Sequence, residues 1–521
     1  MSCPCSSVTC SNEEVPLFKV AMSPTVSEEV GKVLMSGTIT QGKKVEEFET
    51  KLKEYFHYPY LLTLNSGTAG LTLAMRLLDL QPHDEVISTA LTCTATNWAI
   101  LANSLDIVWA DVDPETCNIN LDDAKKKLTS TTRALMVVHW GGFPVDLDKV
   151  KQIQIKYEQM YNKPLYVIED CAHAFGAKFN DQFLGTHGNI CVFSLQAIKH
   201  LTCGDGGLIF LPNKELYERA KLLRWFGVDR EHRSGGDFRL EKDISEWGYK
   251  FHMNDINATI GLCNLANIDK ILLGHRQCSD FYDSALKNLN GITLMKRDPK
   301  CLSSSWIYSM KVLNKMGFIG FMKQKHIMTS QVHKRNDLHS CVSQFVKHLP
   351  LLDELEKNLV SIPCGWWIDQ KTREYIVECV KEWSKTCLYV RGLTANDFKK
   401  GFFSLLTQLT NFQYQTTEKE FEEQIKTMNI YVTESDGKIV ATGKLRIEPK
   451  FGDPVAHIED VVVHSEFRGK NIGKYLIEQL KIIASKSACY KIVLECKENL
   501  QEFYSKCGFK KEGVEMTCRL K

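Results

Sequence analysis

Two stretches of the chain, each an apolar run that ends in polar residues, decide its fold. The first reads Val167-Ile-Glu-Asp-Cys-Ala-His-Ala-Phe-Gly176, and the second reads Phe193-Ser-Leu-Gln-Ala-Ile-Lys-His-Leu-Thr-Cys-Gly-Asp-Gly-Gly207. Buried strands that stop on such residues present them at the carboxyl end of the strand, where open α/β sheets bind ligands. We therefore expect Asp170, Ser194 and Lys199 to converge on one edge of a sheet.

An acid, a hydroxyl and a lysine in one place suit the binding of pyridoxal phosphate. The lysine bonds covalently to the cofactor, the acid keeps the pyridine nitrogen protonated, and the hydroxyl binds the phosphate. Each residue alone has a plainer interpretation, because a lysine after a strand is usually solvated and an acid there is often a helix cap. The combination at this spacing, followed by the glycine-rich turn at residues 204–207, favours a cofactor site.

Upstream of these stretches, strands alternate with helices over residues 60–210, which predicts a mostly parallel sheet. One strand, at residues 61–64, is followed by Asn65-Ser-Gly-Thr-Ala-Gly70 and then by a helix. Free amides and the positive dipole end at a helix start attract anions. The same pattern also fits a capped helix that binds nothing.

From about Phe18 to Trp383 the chain resembles the sugar aminotransferases of the DegT/StrS type, because several separated motifs occur in the right order. That family has the fold of fold-type I enzymes, with a large and a small subdomain, and it uses pyridoxal phosphate. The resemblance implies a homodimer that takes a nucleotide sugar and an amino donor, such as glutamate.

The resemblance also implies roles for individual residues. Gly67, Thr68 and Ser194 would bind the cofactor phosphate. Asp170 would pair with the pyridine nitrogen, and His173 would lie near the phenolic oxygen. Lys199 would bond to the cofactor and act as the base that moves the proton, for which the site must lower its pKa.

The roles of several further residues in this half stay open. Lys250 matches a residue that reaches the phosphate of the neighbouring subunit, although a surface lysine before a helix would look the same. His333 and Arg335 match the segment of the small subdomain that contacts substrate. Many family members stack an aromatic ring on the cofactor where this chain has Cys93, and Trp98 lies further on, so the stacking partner stays open.

A second unit begins near residue 386 with a strand and then a hairpin. The strand His457-Ile-Glu-Asp-Val-Val-Val463 precedes Arg468-Gly-Lys-Asn-Ile-Gly473 and an amphipathic helix. Consecutive amides at that helix start suit a pyrophosphate, although basic loops that contain glycine are common.

This unit resembles the GNAT acyltransferase superfamily, and closely glucosamine-6-phosphate N-acetyltransferase, through segments such as Arg391-Gly-Leu and Phe503-Tyr-Ser-Lys-Cys-Gly-Phe509. The resemblance implies direct attack of an amine on acetyl-CoA. The residues implied in binding acetyl-CoA are Val461, Val463, Arg468, Gly469, Lys470, Asn471, Ile472, Gly473 and Asn499.

The acceptor side follows from the same resemblance. Glu459 and Asp460 would lie near the amine, and Tyr504 would stabilise the leaving thiolate. Thr410 and Arg519 would bind the acceptor.

The chain departs from the acetyltransferase pattern in three places. Asn471 replaces a usual loop glycine, and Asn499 lies one place away from the usual asparagine. The segment from Lys450 to Glu459 is about three residues shorter than is usual in that family and lacks the histidine that the family usually has in its sugar-phosphate segment. The shorter segment argues against glucosamine 6-phosphate as the acceptor.

Composition narrows the remaining possibilities. The chain has 521 residues and a net charge of +2, which gives no electrostatic case for nucleic acid or an anionic membrane. Its 19 cysteines fit reduced thiols in a cytoplasmic protein. Cys3, Cys5 and Cys10 lack a fourth ligand nearby, so we expect no metal site and a disordered tail over residues 1–15.

The sequence therefore predicts two enzymes in one α/β chain, an aminotransferase at residues 16–385 and an acetyltransferase at residues 386–521. The first would aminate a nucleotide-linked keto-sugar, such as a 4-keto-6-deoxyhexose, and the second would acetylate the new amine. Two alternatives stay open. The first half could be a non-catalytic dimerisation domain of a glucosamine-6-phosphate acetyltransferase, or it could be a sensor that binds the cofactor without turnover.

Overall fold

The computed structural model describes residues 14–230, 243–386, 389–409, 416–435, 438–469 and 471–513. The chain forms two compact units. One comprises the residues up to Asn288 together with Ile292–Val380, and the other comprises Leu289–Gly291 and the residues from Lys381 onward. The domain boundary at residues 385–386 stays a prediction. At the end of the predicted tail, the Val15 N–H donates to the His326 carbonyl over 2.7 Å, so this residue is held in place.

The first unit alternates helices and strands, as the sequence predicts. Its strands are β1 Leu61–Leu64, β2 Glu85–Thr89, β3 Asp106–Ala110, β4 Thr132–Val138, β5 Tyr166–Asp170, β6 Lys178–Phe179, β7 Gln182–Phe183, β8 Ile190–Ser194, β9 Gly207–Phe210, β10 Ile292–Leu294, β11 Cys301–Leu302, β12 Tyr308–Val312 and β13 Leu359–Ile362. Its helices are α1 Val26–Ser36, α2 Lys43–Phe56, α3 Gly67–Leu77, α4 Thr94–Ala102, α5 Leu121–Lys126, α6 Leu147–Tyr161, α7 Lys214–Leu223, α8 Asp255–Leu265, α9 Ile268–Ala285, α10 Lys315–Gln324, α11 Pro350–Glu356 and, starting in this unit, α12 Gln370–Thr386.

A seven-stranded sheet in the order β1-β9-β8-β5-β4-β2-β3 forms the centre of this unit. Strands β8, β5, β4, β2 and β3 run parallel, and β9 runs antiparallel to both of its neighbours. The strands are buried on both faces and rich in Val, Ile and Leu, as expected where helices cover both sides of a sheet. The predicted fold-type I architecture is confirmed.

A smaller sheet, β10-β12-β13, completes the first unit. Its strands pair antiparallel, and Tyr308, Met310 and Ile362 are buried within it. This sheet corresponds to the small subdomain expected from the sequence. It follows the long helix α9, and the segment that contains His333 and Arg335 leads from it towards the main sheet.

The second unit contains a five-stranded sheet in the order β14-β15-β16-β17-β18, where only β17 and β18 pair in parallel. Its strands are β14 Tyr389–Gly392, β15 Ile430–Ser435, β16 Lys438–Glu448, β17 Val455–Val463 and β18 Lys491–Leu494. Its helices are α13 Phe402–Leu406, α14 Glu418–Ile425, α15 Ile472–Lys486 and α16 Gln501–Lys506.

Two apolar clusters hold the helices of the second unit on its sheet. One joins α15, through Leu476 and Leu480, to Leu445 and Ile458. The other joins α13 and α14 to β15 through residues such as Phe421 and Val432. In neither unit do the described residues include a helix with enough length and apolar surface to cross a membrane.

Candidate active sites

The carboxyl ends of β5 and β8 bring the first predicted residues together. These strands are parallel neighbours, with Asp170 opposite Val192, so Asp170 and Ser194 end at the same edge of the sheet. Successive residues of a strand point to opposite faces. Glu169 therefore points to the opposite face of the sheet from Asp170. Of these two acids, only Asp170 lies near Lys199.

Hydrogen bonds fix the Asp170 carboxylate on both of its oxygens. The Ala172 amide donates to Oδ1 over 3.0 Å, and the Thr96 hydroxyl donates to Oδ2 over 2.6 Å. Because the single hydroxyl hydrogen of Thr96 is used in this way, Thr92, 2.7 Å away, must donate to Thr96. Burial raises the pKa of Asp170, and the hydrogen bonds and the Lys199 charge offset part of that rise.

Lys199 lies near Asp170 and is partly exposed, with its Nζ 3.5 Å from the centroid of the Trp306 ring. Burial lowers the pKa of its amine to about 7, against the opposing influence of the negative charges of Asp170 and Cys93. A lysine with such a pKa is partly neutral at physiological pH. It is therefore available as a nucleophile and as a base.

His173 is held as a neutral donor. The Gly141 amide donates to its Nδ1 over 3.4 Å, which leaves the proton on Nε2. Burial, followed by the charge of Lys199, lowers its pKa well below the usual value. A neutral imidazole with a fixed N–H suits a hydrogen bond to a phenolic oxygen.

The start of α3 forms the predicted anion site beside Ser194. The Ser66 hydroxyl caps the helix by accepting from the Ala69 amide over 3.1 Å. The first amides of a helix, here those of Gly67 and Thr68, have no acceptor within the helix. A Cβ on Gly67 would lie 3.2 Å from the Ser194 Cβ, so glycine permits the close approach of these two segments.

Lys250 lies on a segment that borders this anion site. Its carbonyl accepts from the Asn65 side chain over 3.1 Å, and the Asn65 amide donates to the Phe251 carbonyl over 2.7 Å. The exposed Lys250 therefore lies beside the phosphate segment of its own chain. Its action on the neighbouring subunit stays a prediction.

The two predicted substrate residues of the small subdomain, His333 and Arg335, differ in their hydrogen-bond partners. The His333 ring lies parallel to that of His173 at 5.6 Å, and its Nε2 is buried without a hydrogen-bond partner among the described residues. Such an atom calls for an explanation, and a ligand is one. Arg335, by contrast, is buried in ion pairs with Asp337 and Asp353, which favours a structural role for it.

The two residues considered for stacking on the cofactor ring, Cys93 and Trp98, lie at the start of α4 and within it. Cys93 caps α4 and lies close enough to Lys199 to influence its pKa. Trp98 packs edge-on against His339 at 5.8 Å.

Below the sheet edge, His139, Glu169 and Cys171 bring their ligand atoms within 4.8 Å of one another. The Val145 amide donates to Nδ1 of His139 over 3.0 Å, so Nε2 carries the proton and donates to Glu169 over 3.0 Å. A nitrogen that carries a proton cannot bind a metal. This group is therefore a buried hydrogen-bonded cluster, which Asn189 completes at 2.7 Å from Glu169.

In the second unit, a bulge at the pairing of β16 and β17 lies at the predicted acceptor residues Glu459 and Asp460. The register shifts between Thr442 and Lys444, and Asp460 takes a left-handed φ of 53° there. Asp460 is exposed at this point. Glu459 pairs with Lys444 at 3.0 Å and with Arg446 at 2.9 Å, and these cations lower its pKa although burial raises it.

The loop before α15 has the geometry of an anion cradle. Gly469 and Asn471 take left-handed φ values of 79° and 61°, and Asn471 precedes the first turn of α15. Arg468 Nε donates to the Val463 carbonyl over 3.0 Å. Asn tolerates this conformation, so its presence in place of the usual glycine is compatible with the loop.

The structure describes some of the remaining acetyltransferase residues, and others lie outside the described part of the chain. A Cβ on Gly473 would lie 3.2 Å from the Phe503 ring, next to the buried Tyr504. Asn499 is exposed, Ile472 is buried in the core, and Val461 is half-buried. Lys470, Thr410 and Arg519, together with the tail cysteines Cys3, Cys5 and Cys10, lie outside the described residues.

The sheet edge of the first unit thus brings together a lysine, an acid and a helix start, the groups that a pyridoxal-phosphate aminotransferase of fold type I uses. The second unit has the sheet, bulge and helix-start loop of an acyl-CoA-dependent N-acyltransferase. Comparison with known proteins gives the families.

The chain belongs to the DegT/DnrJ/EryC1/StrS aminotransferase family, whose model matches residues 21–381. Residues 399–509 match the acetyltransferase (GNAT) family. Both families are transferases. Pyridoxal phosphate is the cofactor of the first, and acetyl-CoA is the co-substrate of the second.

The first unit is also similar to solved sugar aminotransferases and their relatives. AtS13 from Actinomadura melliaura is 46% identical, covers 72% of this chain and all of its own (100%), and superposes with a TM-score of 0.69. The sugar aminotransferase CalS13 from Micromonospora echinospora is 43% identical over 71% of this chain and 99% of its own, with a TM-score of 0.68. GDP-perosamine synthase from Escherichia coli O157:H7 is 28% identical over 375 residues, which are 71% of this chain and 98% of that protein.

Pyridoxal phosphate fits the residues of the first site. Its phosphate would lie at the start of α3 with Gly67, Thr68 and Ser194, its ring nitrogen at Asp170, and its phenolic oxygen at His173. Lys199 would hold its aldehyde carbon. When bound, the cofactor supplies an electron sink for the carbanion formed in amino transfer.

Sequence reasoning missed several residues of this site. Thr92 and Thr96 orient Asp170, and Trp306 contacts both Lys199 and His173. Asn336 bonds to the Thr92 carbonyl at 3.0 Å, which ties the His333 segment to the threonine loop. The spacing of four between the two threonines could have suggested their contact across a helix start, but no local pattern marks Trp306 or Asn336.

Proposed function

We propose that the protein is a bifunctional enzyme of amino-sugar biosynthesis. The first unit transfers an amino group, from glutamate, to a nucleotide-linked keto-sugar, with a 4-keto-6-deoxyhexose as the preferred substrate. The second unit then acetylates the new amine with acetyl-CoA. The observation that carries this proposal is that Lys199, Asp170 and His173 lie together at the edge of the main sheet, in a chain that also contains a GNAT unit.

The amino-transfer half is supported by the state of its own residues. Lys199 has a pKa of about 7 because of burial, so a neutral amine is available to take a proton. Asp170 is held by two hydrogen bonds, which favour its charged form against the effect of burial. A scaffold that had lost its chemistry would have no need for a buried amine of this kind.

Substrate recognition is assigned to residues around the same site. The unpartnered Nε2 of His333 is a candidate for a hydroxyl of the sugar. Similarity to a GDP-perosamine synthase and to sugar aminotransferases favours a nucleotide sugar. Completion of each site by Lys250 of a second copy makes a homodimer the expected assembly.

The acetyl-transfer half depends on a carboxylate for the amine and an acid for the thiolate. Because Glu459 is already paired with Lys444 and Arg446, Asp460 is the better partner for an incoming ammonium. Tyr504, which burial keeps protonated, would donate to the departing sulfur of coenzyme A.

The test is single-turnover mass spectrometry on the full chain. The protein, with pyridoxal phosphate and glutamate, is offered a panel of nucleotide keto-sugars, and acetyl-CoA is added second. We expect one sugar to gain roughly the mass change of a carbonyl-to-amine conversion, about one unit, and then about 42 units for an acetyl group.

The control variant is Lys199→Ala, which should abolish the first mass change and leave the acetylation of a ready-made amino sugar intact. If glucosamine 6-phosphate is acetylated, no keto-sugar is consumed and Lys199→Ala has no effect, the scaffold alternative is correct and this proposal is wrong.

A further inference from the structure

Trp306 occupies the centre of the aminotransferase site although no sequence motif points to it. It lies between β11 and β12, and only 2% of its surface is exposed. Its indole N–H donates to the Ile198 carbonyl over 2.9 Å, and its backbone N–H donates to the Gly141 carbonyl over 2.9 Å. The ring is thus fixed to two segments, one that leads into Lys199 and one whose Gly141 amide sets the tautomer of His173.

Two functional side chains contact this ring. The Nζ atom of Lys199 lies 3.5 Å from the ring centroid, and the His173 ring stacks at 4.0 Å with an interplanar angle of 17°. Phe18 also stacks on Trp306, at 4.9 Å. We propose that Trp306 is a positioning residue, whose ring receives the free amine of Lys199 as an ammonium ion and fixes the plane of His173.

The physical basis is the quadrupole of the indole. The ring face is negative, so it attracts an ammonium ion and gains little from a neutral amine. Burial acts in the opposite direction by penalising the charged form. Trp306 therefore keeps the proton on Lys199 more firmly than burial alone would allow.

Charged and titratable side chains near the Lys199 amine also affect its protonation. Asp170 favours the ammonium through its negative charge. His173, His200 and His333 also face the amine, but burial lowers the pKa of each, so they are neutral near pH 7. Asp170 offsets part of the effect of burial, and the ring face adds to this support for the ammonium form.

This balance has a consequence for amino transfer. A lysine that leaves the cofactor must stay near the reacting carbon and must both take and return a proton. A ring face that holds the ammonium within the site keeps it from turning towards Asp170 alone. The inference rests on the proposed role of Lys199 and on no property of the sugar.

The test measures the pKa of Lys199 in the full-length protein after removal of the cofactor by dialysis. Competitive labelling with acetic anhydride across a pH series, followed by peptide mass mapping, reports how the neutral fraction of this one amine changes with pH. Trp306→Phe keeps a weaker ring face, and Trp306→Leu removes it. From a native pKa of about 7, we expect decreases of about half a unit and about one unit, respectively.

The control is Trp109→Phe, since Trp109 is a similarly buried tryptophan in the core around β3. It should leave the pKa of Lys199 unchanged. If the leucine variant does not fold, the phenylalanine variant alone carries the test. A pKa that stays constant or rises when the ring is changed overturns the proposal, because added hydration, and not loss of an aromatic partner, would then dominate.

The outcome is separate from that of the proposed function. Labelling needs neither the sugar nor the amino donor. A lowered pKa in a protein that consumes no keto-sugar would uphold the role of Trp306 and reject the substrate. An unchanged pKa in a protein that does aminate a keto-sugar would reject the role of Trp306 and uphold the proposed function.

Discussion

At the scale of single residues, the chemistry of this protein depends on protonation states that the surroundings impose. Lys199 is partly neutral because burial lowers the pKa of its amine to about 7, and His173 is a fixed donor because the Gly141 amide occupies its other nitrogen. Tyr504 stays protonated because burial raises its pKa. Of the three, Lys199 differs most from its state in water, where the pKa of a lysine is about 10.4 and the amine is charged.

The Thr96 hydroxyl is expected to control the carboxylate that holds the ring nitrogen. Thr96→Val removes one hydrogen bond of 2.6 Å to Asp170 at constant volume. Since hydrogen bonds to charged groups contribute about 1.5–3 kcal/mol, the variant should bind pyridoxal phosphate at least about tenfold more weakly and turn over more slowly. Reconstitution of the cofactor-free protein, followed by absorbance, measures this affinity.

The graded control is Thr92→Val. Thr92 acts on Asp170 only through Thr96, so its loss should cost less. If both variants lose the same cofactor affinity, Thr92 does not act on Asp170 through Thr96, and this assignment is wrong.

Tyr504 allows a prediction about pH. Burial, followed by the charges of Cys496 and Cys507, raises its pKa. The phenol therefore stays protonated, and acetyl transfer should rise with pH as the acceptor amine loses its proton and should show no fall up to about pH 9. Release of coenzyme A, followed over a pH series, measures the profile.

The matched variants are Tyr504→Phe and Tyr490→Phe, since Tyr490 is 62% exposed. The first should slow acetyl transfer by about a hundredfold, within the range of a lost general acid. The second should leave the rate unchanged. A descending limb near pH 8, absent from Tyr504→Phe, would show that the phenol ionises and that this assignment is wrong.

At the scale of elements, each site is built where a strand ends and a helix begins. β1 leads into α3 through Ser66, and β17 leads through residues 464–471 into α15. Both helix starts offer amides to a phosphate group. The two halves of the chain thus have the same local arrangement at their predicted cofactor sites, on sheets of different topology.

Gly67→Ala tests the first of these helix starts. The new Cβ would lie 3.2 Å from the Ser194 Cβ, so the two phosphate-binding segments must separate slightly. We expect pyridoxal phosphate to bind about tenfold more weakly, which corresponds to about 1.4 kcal/mol, while the protein remains folded.

Gly31→Ala is the control for this variant. Gly31 lies within α1, and nothing lies within 4 Å of its virtual Cβ. Alanine there should raise the free energy of unfolding by up to about 1 kcal/mol and leave cofactor affinity unchanged. If Gly67→Ala binds the cofactor as tightly as the native protein, the α3 start is not the phosphate site.

At the scale of the whole molecule, the chain consists of two compact units, each with its own core and its own site. We expect calorimetry to resolve two unfolding transitions. Pyridoxal phosphate at about a hundred times its Kd should stabilise one of them by about 2.7 kcal/mol, and coenzyme A should act on the other. Lys199→Ala should reduce only the first effect. A single transition that both ligands shift would show that the units unfold together.

The sequence alone determined the class of each half and much of each site. Periodic apolar runs gave the alternating elements of the first unit, and the residues that end β5 and β8 fell at one edge because parallel neighbours must end together. The start of α3 and the hairpin of the second unit could also be predicted from the sequence, because turns, caps and glycines act over only a few residues. Local signals of this kind do not depend on the rest of the chain.

Tertiary structure alone decided which side chains control the ones that act. Trp306 lies 107 positions after Lys199 in the numbering yet contacts its amine, and Thr96 reaches Asp170 across 74 positions. It also showed that Arg335 and Glu459 are paired within the protein, so their charges are already engaged. Contacts between distant segments, and the pKa values that burial imposes, follow from packing in three dimensions, and a linear pattern carries no record of them.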